Sequence, residues 1–470
     1  MIFIILPNQL FDIKLLKNVV DNNKIKKIIL YEHPQYFLRY KFNKKKLLLH
    51  FASMNAYYDL LKSKLNNIEI VYITYKNSVN FENNYLNKNN KIFMFKPSDN
   101  LSDLKKNINF INNPNFLLSD DMREKFFNKN NKTDSNRIVF NNFYMWSKKI
   151  LNILPEVKSK DKENRKILKN NLNIPSLPKL SQIDLKYINN NINKLNNFKN
   201  NYGNIDNFFY PVTRNSALIF LKDFIKNRFK LFGDYQDYVK KNEPFMFHSV
   251  LSSSLNIGLI NPSDVINEIF KIKNKIPLNS FEGFVRQLFW REYQKYCYEY
   301  IDYNTYLKSY NKTNHKSLFK YKNKINKNWY NGTIKINNID FKIINDTIKK
   351  GFDNAYLHHI ERLMIIGNFM NISEIHPKDG FKWFMDFSID SYEWVMYQNV
   401  YDMVFYVSGL TMRKPYITKS NYIIKMSDYN IKDDKDWINK WDEMYITFIK
   451  KYKSELIKKH SYYFPSLKSI

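Results

Sequence analysis

The chain of 470 residues has a single cysteine, Cys297, and only 9 glycines. One thiol excludes an intramolecular disulfide and any metal or iron–sulfur site built from several cysteines, and it fits a reducing compartment. So few glycines argue against a glycine-rich phosphate loop as the main binding device. No apolar run approaches the roughly eighteen residues of a membrane span. The opening MIFIIL is too short, with no basic stretch before it, for a signal peptide. The expectation is a soluble, intracellular, non-secreted protein with no membrane partner and no metal. Acidic residues are also scarce beside basic ones: 44 Asp+Glu against 75 Lys+Arg, a formal net charge of +31. That surplus creates a positive field that attracts polyanions, with nucleic acid the leading partner ahead of an anionic membrane.

What is abundant is aromatic: 35 Tyr and 37 Phe within a 17% aromatic content. Asn, Lys and Ile also abound, and an AT-rich genome accounts for most of the Asn tracts. The length suffices for two or three domains with their own cores. MIFIILPNQLF reads as a buried strand broken at Pro7, and KKIILY (Lys26–Tyr31) and IEIVYIT (Ile68–Thr74) as two more. Between the second and third, Leu47, Phe51, Met54, Tyr58 and Leu61 recur at helical spacing. Strand, helix, strand predicts a parallel α/β domain over 1–130, with ligands beyond the carboxyl strand ends, near Pro7–Gln9 and Glu32–Pro34. Residues 131–207 read as a connecting segment with an Asn/Lys-rich linker crossing the surface, partly helical at best. From Phe208 to the end, helical patterns dominate and predict an all-α domain over 208–470. No internal repeat is found.

Three constellations carry chemistry. On a helix, Glu282, Arg286 and Trp290 share one face, placing a cation beside a flat π surface suited to a nucleobase or flavin; a salt-bridged aromatic helix explains them equally well. His358 and His359 project about 100° apart on a helix, so they cannot share a metal in the i, i+4 manner. A histidine one turn from Arg362 could act as a general acid with a depressed pKa, although buried histidines are more often structural. The hydroxyl-rich SVLSSSLNIG from Ser249, preceded by His248, suits phosphate at a helix start, or simply a capped helix.

Together with EGFVRQLFWREY (Glu282–Tyr293), NAYLHHIERLMIIGN (Asn354–Asn368) and KWFMDFSIDSYEWVMYQN (Lys382–Asn399), these runs resemble the photolyase and cryptochrome flavoproteins. The resemblance is greatest to the branch typified by iron–sulfur bacterial photolyases, the (6-4) photolyase-like branch. It extends over most of the chain through LPNQLF, YEHPQYFLRYK from Tyr31, KLLLHFASM from Lys46, PVTR from Pro211, FGDYQD from Phe232, KPY from Lys414 and NYIIKMSDY from Asn421, in family order. It implies a Rossmann-like antenna domain and a helical FAD-binding domain.

By this resemblance FAD would be lined by Tyr235, His248, Ser249, Leu251, Ser252, Arg286, Gln287, Arg362, Asp390, Met396 and Asn399. His359, with His358 beside it, would be the proton donor to a (6-4) photoproduct flipped from UV-damaged DNA. Trp290, Arg291 and Tyr416 would contact DNA or lesion, and Trp383, Phe384, Tyr330 and Trp329 would relay electrons. The resemblance leaves open a second antenna chromophore, lumazine-like or none, and a monomer is expected.

The departures matter as much. The family's Cys-x-x-Cys after MSDY is Asn430 and Asp433 here, so the cluster cannot be held in the family's way; local hydrogen bonds and Trp437 and Trp441 are expected to hold that region instead. A carboxylate expected near the flavin ring is Met396, Phe384 replaces a redox-active Tyr, and Tyr330 stands where a relay Trp would be, with Trp329 adjacent. RQLFWRE is one residue shorter than the branch's RQxxGWRE, which leaves the register around Gln287 open. Three readings follow: a FAD-dependent, blue-light-driven photolyase-like enzyme; a cryptochrome-like photoreceptor or repair-inactive homologue; and a cofactor-free structural or DNA-packaging relic.

Overall fold

The structure, a computed structural model of the chain, describes residues 1–86, 90–104, 107–130, 138–169, 172–310 and 318–460. Residues 131–137 and 170–171 of the connecting segment lie outside the described residues. Near the N-terminus five parallel strands form one sheet: β1 (Ile2–Ile5), β2 (Lys27–Tyr31), β3 (Glu69–Ile73), β4 (Ile92–Phe95) and β5 (Ile108–Ile111), in the order β3-β2-β1-β4-β5. Pairing is in register from Ile2 opposite Lys27 on one side and Ile2 opposite Ile92 on the other. β1 and β4 are buried along their whole length, which is why they read as unbroken apolar runs.

The helix predicted after β2 spans Lys44–Lys64, and Asn43 caps it by accepting from the Lys45 N–H at 2.9 Å. Its buried residues include Lys46 and His50 besides the apolar stripe, because the helical part of the molecule packs over it. Ser391, Tyr392 and Trp394 of that part reach the carboxyl ends of the strands. Lys46 Nζ donates to the Ser391 carbonyl, the Tyr392 hydroxyl lies 3.2 Å from His50 Nε2, and the Trp394 N–H donates to Asp99 Oδ1 at 3.0 Å. Burial raises the Asp99 carboxyl to about 6 and lowers the Lys46 ammonium to about 7. At the same edge Glu32 is engaged by the Tyr72 hydroxyl at 2.6 Å and the Tyr75 N–H at 3.2 Å.

The Asn/Lys-rich stretch read as a surface linker is more ordered than its composition suggests. Ser181 and Asp184 form a capping box that starts a helix at Gln182–Asn191, which lies against the Lys44–Lys64 helix. Buried Asp184 also accepts from the Val212 and Thr213 N–H groups at 3.0 and 3.1 Å, tying the segment to the helical part. Beyond Phe208 the described chain is mostly helical, around the 23-residue helix Leu278–Tyr300. Among the described residues no helix is long and apolar enough to cross a membrane, and no group of three His, Cys, Asp or Glu is placed to hold a metal ion.

Candidate functional site

The serine-rich motif begins with a backbone turn that side chains resist. Val250, a β-branched residue, sits at φ 56°, and Leu251 follows at φ −91°, ψ −6°. The left-handed region costs a residue with a Cβ about 1–2 kcal/mol, and such strain gathers at sites where surrounding structure over-determines it. Alternating left- and right-handed residues are also the geometry of an anion-binding nest. The helix Ser252–Asn256 follows, and its Asn256 Nδ2 donates to the Asp390 carbonyl at 2.9 Å.

Asp390 meets Arg362 in a two-pronged pair, Nη1–Oδ1 at 3.0 Å and Nη2–Oδ2 at 3.2 Å. Arg362 Nε donates to the Leu357 carbonyl at 2.6 Å, and its guanidinium lies 5.5 Å from the Phe387 ring centroid. Burial pushes the Asp390 carboxyl up, but Arg362, Ser388 and Ser252 outweigh it and hold its pKa below the usual carboxylate value. Arg362 belongs to a π-helical segment, Glu361–Gly367, a local widening of the helix that recurs at functional sites.

The two histidines separate, but not along one helix as their spacing suggests: His358 precedes the helix and His359 opens it. His359 is exposed, whereas His358 is 3% exposed and its ring stacks on His248 at 4.9 Å between centroids. His358 is therefore turned away from bulk solvent, and both its ring nitrogens are buried without a hydrogen-bond partner. Burial, then their mutual proximity for His248 and the Lys350 ammonium for His358, depresses both pKa values well below the ordinary one. Although part of the His359 ring meets solvent, loss of hydration among its neighbours, then the Arg362 cation, lowers its pKa to about 4.

Arg286 is buried, with Nη1 2.9 Å from Asp161 Oδ1. Glu282 accepts from the Tyr144 hydroxyl at 2.8 Å and the Lys160 N–H at 3.0 Å, and Trp290 stacks on Phe140 at 3.7 Å with 8° between planes. The predicted shared face thus meets the connecting segment, which sequence reading had not placed there. Tyr235 packs with Phe247 against Leu168, Leu172 and Ile174 of the same segment. Half-buried Tyr416 feels the charges of Asp161 and Arg165.

Arg291 needs correction as a DNA contact. It is buried between the Phe116 and Trp394 rings, 4.7 and 4.8 Å from their centroids, and Nε donates to Asn256 Oδ1 at 3.3 Å. Its cation joins the sheet to the helical part and faces no solvent. Gln287 is exposed, Ser249 half-buried and Leu251 buried. Met396 is buried, and Asn399 spends an amide N–H on the Val395 carbonyl at 3.0 Å.

Among the relay candidates Trp383 is fully buried, its indole N–H donating to the Trp329 carbonyl at 2.7 Å, and Phe384 meets it edge-on at 5.2 Å. Asn430, where the resemblance would place a cluster ligand, caps the helix Ile431–Lys451 by accepting from the Asp433 N–H at 3.0 Å. Trp437 and Trp441 are buried there, donating to Asp434 and to the Thr418 carbonyl.

The donors suit a phosphate-bearing, hydrogen-bonding cofactor. His248 Nε2, Arg286 Nη2 and the Ser253 and Ser254 hydroxyls are buried polar atoms with no hydrogen-bond partner in the protein. Buried polar groups are ordinarily satisfied, and His248, Ser253 and Ser254 contribute three such atoms from the one serine-rich motif.

A parallel sheet 3-2-1-4-5 followed by a mostly helical region is an arrangement this chain shares with photolyases and cryptochromes of known structure. The bacterial class III photolyase from Agrobacterium tumefaciens shares it at a TM-score of 0.56 and 15% identity, over 96% of this chain and 91% of that one. The Synechocystis sp. PCC6803 cryptochrome does so at 0.58 and 12%, over 97% and 89%. The model of the deoxyribodipyrimidine photo-lyase-related protein family matches residues 3–210. A (6-4) photolyase from Agrobacterium fabrum is 36% identical over 241 residues, 49% of this chain and 44% of that protein, so the similarity spans less than half the length of that relative. The chain thus shares the photolyase/cryptochrome fold, and its residues 3–210 match the photo-lyase-related family.

Proposed function

We propose that the protein is a FAD-dependent, blue-light-driven DNA photolyase-like enzyme acting on (6-4) photoproducts, with 1–130 as an α/β antenna-type domain, 131–207 as the connection and 208–470 as the flavin domain. The observation that supports it most is the pairing of a closed cradle with one open acid–base group: Arg362 locked on Asp390, and exposed His359 three residues before that arginine. His248, Ser249, Arg286 and the Ser252 backbone N–H would hold FAD by donating to its phosphates, and the Arg362–Asp390 pair, steadied by the Ser252 side chain, would orient its ring. When bound, reduced FAD excited by blue light supplies the electron that drives lesion rearrangement.

This chain's residues do the rest. The positive surface gathers DNA. Damage weakens stacking and pairing, which lowers the cost of flipping the lesion. His359 presents a ring N–H to the flipped lesion, and Arg362, by disfavouring a second positive charge beside it, makes the protonated imidazole the readier donor. A cryptochrome-like or repair-inactive protein is the second reading. Met396 in place of a carboxylate favours it, as do Asp161 on Arg286 and Phe140 on Trp290, which occupy groups a substrate would need. The test is to purify the protein, measure FAD released on denaturation, reduce the flavin and assay repair of defined (6-4) and cyclobutane oligonucleotides under blue light. Repair of (6-4) lesions supports the first reading. Bound FAD without repair of either lesion supports the second, and failure to retain or take up FAD overturns both.

A further inference from the structure

A cavity of about 420 Å³ opens in the helical part, and neither His359 nor the Arg362–Asp390 pair lines it. That volume falls within the roughly 300–1,000 Å³ of small-ligand pockets. Its floor is apolar: Trp329 meets Phe369 at 5.4 Å between ring centroids, and Ile372 and half-buried Met444 complete it. Its rim is polar and open to solvent, formed by exposed Asn326, Asn328 and Lys335. In the wall the Ser373 hydroxyl is buried without a hydrogen-bond partner, both a donor and an acceptor left for whatever enters. The single carboxylate of the lining, Glu374, is neutralised by Lys451 at 2.7 Å.

The segment that leads into this cavity is basic on its outer side. It is pinned by the bridge between Asn323 and Ile375, with the Asn323 N–H donating to the Glu374 carbonyl at 3.1 Å. Successive side chains of an extended segment point to opposite sides, and here exposed Lys320, Lys322 and Lys324 alternate with buried Tyr321 and half-buried Ile325. Lys327 and Lys335 are exposed as well, and none of the five forms an ion pair among the described residues. A row of unneutralised ammonium groups beside an aromatic recess is the combination that holds a single nucleic-acid strand: the cations take backbone phosphates and the recess takes a base. A base has apolar faces and hydrogen-bonding edges, which match the apolar floor and the amide and hydroxyl groups around it. A base inside an intact duplex is stacked and paired, so it cannot enter.

We propose that this cavity is a second nucleic-acid site, which takes an unpaired base of single-stranded DNA while Lys320, Lys322, Lys324, Lys327 and Lys335 hold the phosphates on either side. It is separate from the site proposed for a flipped lesion, and it does not depend on bound FAD.

The test titrates the full-length protein, in the dark, with a short fluorescent thymidylate strand and with an abasic strand of equal length. The base-bearing strand should bind about fivefold tighter or more. Thymidine monophosphate, which offers a base but one phosphate, should compete far more weakly than the strand. With 5-iodouracil in the strand, ultraviolet cross-linking and peptide mapping should place the base on Trp329, Phe369 or Met444. Met444→Trp, which fills the cavity, should abolish the advantage of bases yet keep the salt dependence. Lys322→Gln combined with Lys324→Gln should flatten the slope of log K against log salt by about 0.7 for each cation lost. Equal binding of the two strands, cross-links only outside the cavity, equal competition by the monophosphate, an unchanged slope, or an unchanged base preference in folded Met444→Trp overturns the proposal. If Met444→Trp does not fold, the wild-type cross-link decides alone. None of these readouts needs FAD or repair, so this proposal and the flavin reading fail separately.

Discussion

Arg362 and Asp390 hold each other so closely that each sets the other's chemistry. Both side chains are largely removed from water, at 16% and 10% exposure. Arg362→Ala therefore leaves a buried carboxylate without its cation, a change that costs about 3–5 kcal/mol in comparable pairs. Urea unfolding should register the loss, and fluorescence of released FAD should fall with it. Because Asp390 has a lowered native pKa, its contribution to stability is present above the unfolded carboxylate pKa of about 3.9 and is lost on acidification through the native value. His359 has the opposite charge logic. Its native pKa of about 4 lies below the ordinary 6.5, so the unfolded chain takes up a proton first and stability declines as pH falls from the higher value to the lower. The ring is neutral at pH 7. If its protonated form serves as the acid, repair should run faster at pH 6 than at pH 8, and His359→Ala should abolish repair while FAD stays bound. A rate independent of pH in that window would remove His359 as that acid.

Single elements carry two further expectations. Asn430 now caps a helix, so Asn430→Ala should cost about 1 kcal/mol, read as a lower unfolding midpoint. Metal analysis of anaerobically purified protein should find no stoichiometric iron or sulfide, since a cubane ordinarily needs four thiolates and the chain has one cysteine. The connecting segment places Asp161 against Arg286, where it competes with any anion. Asp161→Asn should raise the affinity of apoprotein for added FAD several-fold in a fluorescence titration; unchanged affinity would mean that Arg286 does not reach the cofactor. At this scale β1, β2, β3 and the Lys44–Lys64 helix were legible, because continuous β-branched runs and 3.6-residue periodicity survive in one dimension. β4 and β5 were not singled out: each is only four residues long and set among Asn and Lys. The Gln182–Asn191 helix was hidden because Asn-rich composition says nothing of Asp184, whose buried carboxylate gathers donors from Val212 and Thr213.

Across the whole molecule the surplus of positive charge makes DNA affinity a matter of counterion release. Log K should fall with log salt at about −0.9 per phosphate neutralised. A flat response between low and physiological salt would mean that the charge of +31 is merely solvated. That charge, the lone cysteine and the ordered family motifs all follow from the sequence alone, for they depend on composition or on order along the chain. Which histidine faces inward was decided by tertiary packing, through the His248 ring arriving from a distant motif. So was the burial of Arg291 between Phe116 and Trp394, and the approach of Asp161 to Arg286 and Phe140 to Trp290. These pairs join residues far apart in the chain, and whether a cation meets solvent, a ring or a carboxylate depends on which surfaces the fold presses together. Local periodicity does not carry that information.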